Sequence, residues 1–135
     1  MDQLRDNQGC FVCGRNNPVG LSVAFEINTA ARSISAVFIP SDRHQGYEGI
    51  VHGGILSSLL DEAMAKLTFS LGIPALTAEM TVKFKAPVTP GEEIIVYCRS
   101  GARSATAVRQ LQAAGVERAW SLAGGILRWE AEREW

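Results

Sequence analysis

The sequence predicts a mixed domain of the α+β or α/β class, built around one long helix. Apolar residues recur with helical spacing over residues 54–71, the pattern of a helix that buries one face. Shorter segments before and after that stretch alternate apolar and polar residues, as half-buried strands do. With 135 residues, the chain suits one domain and leaves little room for two.

Two strands and three loops are predicted before the helix. In chain order, the pattern predicts a loop, a strand, a turn, a strand and a polar loop over residues 7–20, 21–27, 28–32, 33–39 and 40–49. In the second strand, Ile34, Ala36 and Phe38 occupy alternate positions. They are therefore expected to share one face.

The helix itself is predicted from seven apolar residues at helical spacing: Leu56, Leu59, Leu60, Ala63, Met64, Leu67 and Leu71. Gly72 and Pro74 follow and should end it. Further strands are predicted over 77–86 and over 92–97, the second ending on Cys98, with a turn between them. Helical spacing returns over 105–114, and a short apolar element follows at 126–129.

Composition and charge exclude several classes of protein. A formal net charge of −1 argues against a nucleic-acid binder, which would carry a basic excess. No apolar run approaches the roughly 20 residues of a membrane span, and the first residues lack the apolar stretch of a signal peptide. We therefore expect a cytoplasmic protein without a membrane or nucleic-acid partner. Three cysteines do not make a disulfide framework.

A first group of chemically important residues lies where the helix begins. His52, Gly53 and Gly54 lead into it, and unpaired N–H groups at a helix start can stabilise an oxyanion on an attacked carbonyl. The carboxylates of Asp61 and Glu62 follow on the same helix. Gly54 and Asp61 are separated by about 10 Å of helical rise. If they serve one reaction, they are expected to come from two subunits.

These residues resemble the hotdog-fold thioesterases of the PaaI-like group, over about residues 9–97. The motifs that carry the resemblance are Cys-Phe-Val-Cys-Gly at 10–14, Asn-Pro-Val-Gly-Leu at 17–21, Gly-Tyr-Glu-Gly-Ile-Val-His-Gly-Gly at 46–54, Leu-Asp-Glu-Ala-Met at 60–64, and the segments 77–88 and 90–92. The combined pattern is specific, whereas His-Gly-Gly alone would not be. The resemblance implies an α+β hotdog fold, in which a curved antiparallel sheet wraps a long central helix.

The resemblance also implies the hydrolysis of an acyl-CoA thioester by a homodimer or homotetramer. Asp61 matches the nucleophile or general base, and His52, Gly53 and Gly54 match the part that positions and polarises the thioester carbonyl. Glu62, beside Asp61, is a further catalytic candidate. Gln45 is a candidate for holding the attacking water, and Lys83 and Lys85 for contacting the CoA phosphates. No cofactor is expected.

The end of the chain resembles another family. Residues 96–104, Val-Tyr-Cys-Arg-Ser-Gly-Ala-Arg-Ser, form a strand, polar loop and helix start, a setting that favours a cysteine thiolate. The match, over about residues 94–130, is to the second half of rhodanese-family sulfurtransferases. It implies a persulfide on Cys98, cradled by the loop that contains Arg99 and Arg103.

The two resemblances divide the chain into a thioesterase-like region, 1–97, and a helical rhodanese-like segment, 98–135, that is not an independent domain. The first rhodanese half is not evident, and a hotdog domain would continue as strands where this sequence is helical. Three hypotheses follow: an acyl-CoA thioesterase, a sulfurtransferase that uses Cys98, or a catalytically silent CoA-binding or chimeric protein.

Cys10 and Cys13 have the spacing of metal ligands, but no second Cys/His pair follows them. A zinc site would need partners from another subunit. We interpret the pair as part of a structural turn and predict no metal.

Overall fold

The computed structural model describes residues 4–99. Their regular elements are strands β1 (Phe25–Asn28), β2 (Ser33–Phe38), β3 (Gln45–Tyr47) and β4 (Ile50–Val51), helix α1 (Gly53–Ser70) and strand β5 (Ile94–Arg99). A short 3-10 helix, Asp42–His44, precedes β3. The predicted long helix is confirmed, and its bounds differ by one residue at each end.

The main sheet is antiparallel, with the strand order β1–β2–β5. Within residues 4–99, an antiparallel sheet packs beside one α-helix, an arrangement of the α+β class, one of the two that the pattern allowed. Strands β3 and β4 form a separate antiparallel pair immediately before the helix. This small hairpin matters for function because it delivers His52 to the start of α1.

One buried cluster holds α1 against the main sheet. Leu59, Ala63 and Leu67 recur every four residues along the helix, and all three are buried. The predicted face of β2 is confirmed, because its alternate residues Ile34, Ala36 and Phe38 are all buried. The other buried apolar residues of the cluster are Val12, Val23, Val51, Val88, Ile94, Val96 and Cys98.

Helix α1 ends in a Schellman motif. Gly72 has φ +78°, and its N–H donates to the carbonyl of Phe69 at 3.0 Å. The N–H of Ile73 donates to the carbonyl of Thr68 at 2.9 Å. Since a residue with a side chain is strained at this φ, the glycine explains why the helix stops where the sequence predicts.

The first predicted strand begins later than expected. Residues 21–24 are not in the sheet, because the N–H groups of Leu21 and Val23 donate to the carbonyls of Phe11 and Val12, at 2.7 and 2.8 Å. Ser22 between them has φ +52°, outside the strand region. The alternating pattern at 21–27 therefore covers two different structures. Residues 21–24 pair with the N-terminal loop, and β1 begins at Phe25.

The predicted strand over residues 77–86 is absent from the described structure. This segment has no ladder partner within residues 4–99, so its alternating side chains do not produce a strand. The predicted polar loop over 40–49 instead contains the 3-10 helix and β3. The rhodanese-like segment from residue 100 onward, with Arg103 and the predicted helix over 105–114, lies outside the described residues.

Within residues 4–99, no helix combines the length and the apolar character needed to cross a membrane.

Candidate active site

An open groove of about 640 Å³ lies at the start of α1. The β3–β4 hairpin and the first helical turn form one side, and residues 84–88 form the other. Its lining is mostly apolar and includes Ile50, Val51, Leu56, Phe84 and Val88. A groove of this kind suits an extended apolar chain with a polar group at one end.

His52 is the N-cap residue of helix α1. The Nδ1 atom of His52 accepts a hydrogen bond from the N–H of Gly54 at 2.8 Å. The N–H of Gly53 has no acceptor within residues 4–99, and Gly53 lines the groove. Of the two glycine N–H groups at this turn, that of Gly53 remains available to an external acceptor, since the imidazole already accepts from Gly54.

Two glycines keep the groove open at the histidine. A Cβ on Gly53 would lie 3.1 Å from Cζ of Phe84, on the opposite side of the groove. A Cβ on Gly46 would lie 3.2 Å from Cδ2 of His52. A side chain at either position would crowd its neighbour, so glycine is favoured here by close approach rather than by an unusual backbone conformation.

Backbone hydrogen bonds fix the two sides of the groove. The N–H of Val51 donates to the carbonyl of Val88 at 2.8 Å, which ties β4 to the opposite side. The N–H of His52 donates to the carbonyl of His44, also at 2.8 Å. The histidine is thus held at its backbone on one side and by its cap on the other.

The predicted substrate-binding residues separate in the structure. Lys85 lines the groove, whereas Lys83 does not. Gln45 does not line it either, since its side chain braces the β3–β4 hairpin. Its Oε1 accepts from the N–H of Gly49 at 2.5 Å, and its Nε2 donates to the carbonyl of Asp42 at 2.8 Å. A water-holding role for Gln45 would require it to release these partners.

The neighbouring carboxylates of α1 have different partners. Asp61 is half-buried and accepts a hydrogen bond from the hydroxyl of Thr77. Glu62 accepts from Sγ of Cys13 at 2.9 Å. Neither carboxylate lines the groove of its own chain. The structure therefore brings His52 and Gly53 together but leaves Asp61 and Glu62 apart from them.

Sequence reasoning missed Thr77 and Phe84 as site residues. Thr77 supplies the hydroxyl that orients Asp61, and Phe84 forms the side of the groove opposite Gly53. Both belong to the alternating segment 77–86, whose pattern predicts faces of a strand and gives no sign of these contacts.

A possible metal-binding group lies away from the groove. The thiols of Cys10 and Cys13 and a carboxylate oxygen of Glu62 all lie within 4.8 Å of one another. Burial is the largest cause that raises the pKa of Cys13, to about 12, and its hydrogen bond to Glu62 adds to this. Without a metal, Cys13 is therefore a neutral thiol that donates to Glu62.

The setting of Cys98 contradicts the activated thiolate that the rhodanese-like loop implies. Cys98 lies in β5 opposite Ile34, with 3% of its surface exposed. Burial raises its pKa to about 11, whereas an activated nucleophile needs a lowered pKa. Arg99 ends β5, and the rest of the loop lies outside the described residues.

Comparison with known protein families matches the middle of the chain. Residues 48–114 match the family described as the thioesterase superfamily. The match covers 67 of the 135 residues, just under half of the chain. The match begins between β3 and β4, covers all of α1 and every groove residue except Gly46 and Tyr47, and continues beyond the predicted boundary at residue 97.

Two curated proteins are similar to parts of this chain. Acyl-coenzyme A thioesterase THEM4 of Rattus norvegicus is 31% identical over 70 residues, which are 52% of this chain and 30% of that protein. An uncharacterised protein of Synechocystis sp. is 43% identical over 44 residues, 33% of this chain and 25% of that protein. The chain thus spans less than a third of the length of either relative.

Two solved structures share the fold. A thioesterase superfamily protein superposes with a TM-score of 0.63 at 22% identity, covering 70% of this chain and 46% of the other. A phenylacetic acid degradation-related protein of Ralstonia eutropha JMP134, described as a candidate thioesterase, gives 0.53 at 23% identity, covering 58% and 62%. The long helix and antiparallel sheet of this domain are consistent with the hotdog fold.

The N-cap of α1 can be tested separately from any chemistry of His52. We expect His52→Ala to lower the free energy of unfolding by about 1 kcal/mol, because the variant loses the cap to Gly54. Since asparagine is among the best N-cap residues, His52→Asn should retain most of that stability. Urea unfolding followed by circular dichroism measures both. Equal losses in the two variants would contradict the capping role.

The thiol of Cys98 is expected to react slowly in the folded protein. Raising its pKa from 9.0 to about 11 lowers the thiolate fraction near pH 8 by about 100-fold, and burial further blocks access. Alkylation by iodoacetamide, followed by mass spectrometry of the Cys98 peptide, should therefore be at least that much slower in buffer than in urea. Similar alkylation rates in buffer and in urea would instead support an activated thiolate at Cys98.

Proposed function

We propose that this protein hydrolyses acyl-CoA thioesters as a homodimer. Each active site would combine the start of α1 of one subunit with Asp61 of the other. The observation that carries the proposal is the N–H of Gly53, which has no acceptor within residues 4–99 and belongs to a residue that lines an apolar groove. The match of residues 48–114 to the thioesterase superfamily supports the same chemistry.

The groove suits nucleophilic attack on a thioester carbonyl. A carbonyl held at the start of α1 would place its oxygen near the N–H of Gly53, where the helix carries partial positive charge. Negative charge that develops on that oxygen during attack is then stabilised. The acyl chain would lie against Phe84 and Leu56, which line the same groove.

Asp61 can act on that carbonyl only from another subunit. It lies seven residues beyond Gly54, about 10 Å along α1, and it does not line the groove of its own chain. Thr77 holds its carboxylate by a hydrogen bond. A two-fold arrangement that sets two α1 helices side by side would bring each Asp61 to the other chain's groove.

Surface properties support both the dimer and the substrate class. Phe69, Leu76 and Phe84 are large apolar residues with more than half of their surface exposed, and burial of such side chains between subunits would favour a dimer. Lys85 lines the groove and Lys83 lies two residues before it, so both could meet the CoA phosphates. The name of the similar rat protein, an acyl-coenzyme A thioesterase, favours the same substrate class.

The first test is hydrolysis of a panel of acyl-CoA thioesters, followed by the release of free CoA. We expect turnover by the parent and a fall of kcat by about 100-fold or more in Asp61→Asn, since the amide cannot act as a base. Glu26→Gln is the matched control, because Glu26 is an exposed carboxylate on β1, away from the groove. A parent protein without turnover on any acyl chain would leave the silent CoA-binding hypothesis instead.

A mixing experiment tests the shared active site. Gly53→Val should block the groove against Phe84, and Asp61→Asn should remove the carboxylate, so each variant alone is expected to be inactive. When the two are unfolded together and refolded at equal amounts, mixed dimers hold one intact site. Activity should then return to roughly a quarter of the parent value. No recovery in a mixture that forms dimers would place both groups in one subunit.

A further inference from the structure

We propose that Cys10, Cys13 and Glu62 bind one zinc ion. Sequence analysis predicts no metal for this chain, because it finds no second Cys/His pair after Cys13. The structure supplies the third donor from α1, 49 residues further along the chain.

The geometry of the three donors is close to that of a tetrahedral site. Their sulfur and oxygen atoms lie within 4.8 Å of one another, and Sγ of Cys13 lies 2.9 Å from Oε1 of Glu62. Zn–S and Zn–O bonds of about 2.3 and 2.0 Å place such donors about 3.5–3.8 Å apart. Small rotations of the side chains therefore suffice to enclose the ion.

The loop that carries the cysteines is already shaped around them. The N–H of Val12 donates to Sγ of Cys10 at 3.3 Å, and the N–H of Gly14 donates to the carbonyl of Cys10 at 2.9 Å. A Cβ on Gly14 would lie 2.5 Å from three backbone atoms, two of Cys10 and one of Gln8. The N–H of Val12 would stabilise the thiolate form of Cys10. Because the backbone of the loop is already tightly packed, metal binding would cost little conformational entropy.

The donor set selects a thiophilic divalent cation. Magnesium and calcium prefer oxygen ligands throughout, whereas zinc accepts thiolate sulfur and carboxylate oxygen together. Two thiolates and one carboxylate leave a zinc complex with one net negative charge. Lys66 is close enough to act electrostatically on Cys13, and its positive charge balances that excess. All three ligands are half-buried, so the ion can reach them from solvent, and water is the proposed fourth ligand.

Binding exchanges protons for the metal. The two thiols release their protons as the Zn–S bonds form, and Glu62 exchanges its hydrogen bond from Cys13 for a bond to the ion. The ion then joins the N-terminal loop to α1 at the residue that follows Asp61. Its effect is therefore to hold the helical turn that carries the proposed catalytic carboxylate.

Cobalt titration of the full chain tests the site without any assay of activity. The protein is stripped of metal, kept reduced with a phosphine so that Cys10 and Cys13 cannot form a disulfide, and titrated with Co²⁺. We expect one equivalent to bind, with the near-ultraviolet absorption of cobalt–thiolate bonds and displacement by Zn²⁺. Saturating Zn²⁺ should raise Tm by at least about 5 °C. Absence of the thiolate absorption would overturn the proposal.

Variants locate the ligands. Cys13→Ser retains a hydroxyl that can donate to Glu62, so the fold is preserved while the thiolate is lost, and we expect affinity to fall about 100-fold or more. Glu62→Gln should weaken binding at least 10-fold. The matched controls, Cys98→Ser and Asp61→Asn, should bind within about 3-fold of the parent.

Two further results would each contradict the site. Thiolate absorption that persists in the double variant Cys10→Ala/Cys13→Ala would place the metal elsewhere in the chain. Unchanged affinity in Glu62→Gln would remove the carboxylate from the ligand set. Circular dichroism of each variant confirms that a loss of binding is not a loss of fold.

Discussion

Helix α1 must bury one side against the sheet while its first turn stays open to solvent, and the arrangement of the whole domain depends on this constraint. Leu67 has no exposed surface, and Leu59 and Ala63 are nearly as buried, so the middle of the helix cannot shift along the sheet. The Schellman motif fixes its far end. The groove therefore has a rigid base, because Gly53 and His52 belong to a helix that is held in place by its core contacts.

Local pattern was sufficient to predict α1 and the buried face of β2. Apolar residues at helical spacing, ending at Gly72 and Pro74, are sufficient to predict one helix. The alternation of Ile34, Ala36 and Phe38 predicts one buried face of a strand, whichever element packs against it. The pattern was insufficient for the segment 77–86, since a strand needs a second strand and alternation says nothing about whether one is present. It also failed at Ser22, whose φ of +52° interrupts an otherwise regular alternation.

The candidate site divides in the same way. The sequence predicts a histidine and two glycines at a helix start because these residues are adjacent in the chain. It does not predict that Gln45 braces a hairpin, that Thr77 binds Asp61 or that Cys13 binds Glu62, since those contacts form only when distant segments pack. Asp61 and Glu62 show the difference most clearly. They are adjacent in the sequence, but in the fold Asp61 accepts a hydrogen bond from Thr77 and Glu62 accepts one from Cys13.

The segment 77–86 carries one more consequence, for solubility. It belongs to no sheet within residues 4–99, and a strand-like segment without a ladder partner is a template for aggregation. Lys83 and Lys85 place positive charges on either side of the exposed Phe84. Like charges brought together by edge-to-edge stacking repel one another, so these lysines act as gatekeepers for the strand-like segment. The same two lysines, proposed to contact CoA phosphates, would thus also limit self-association of this segment.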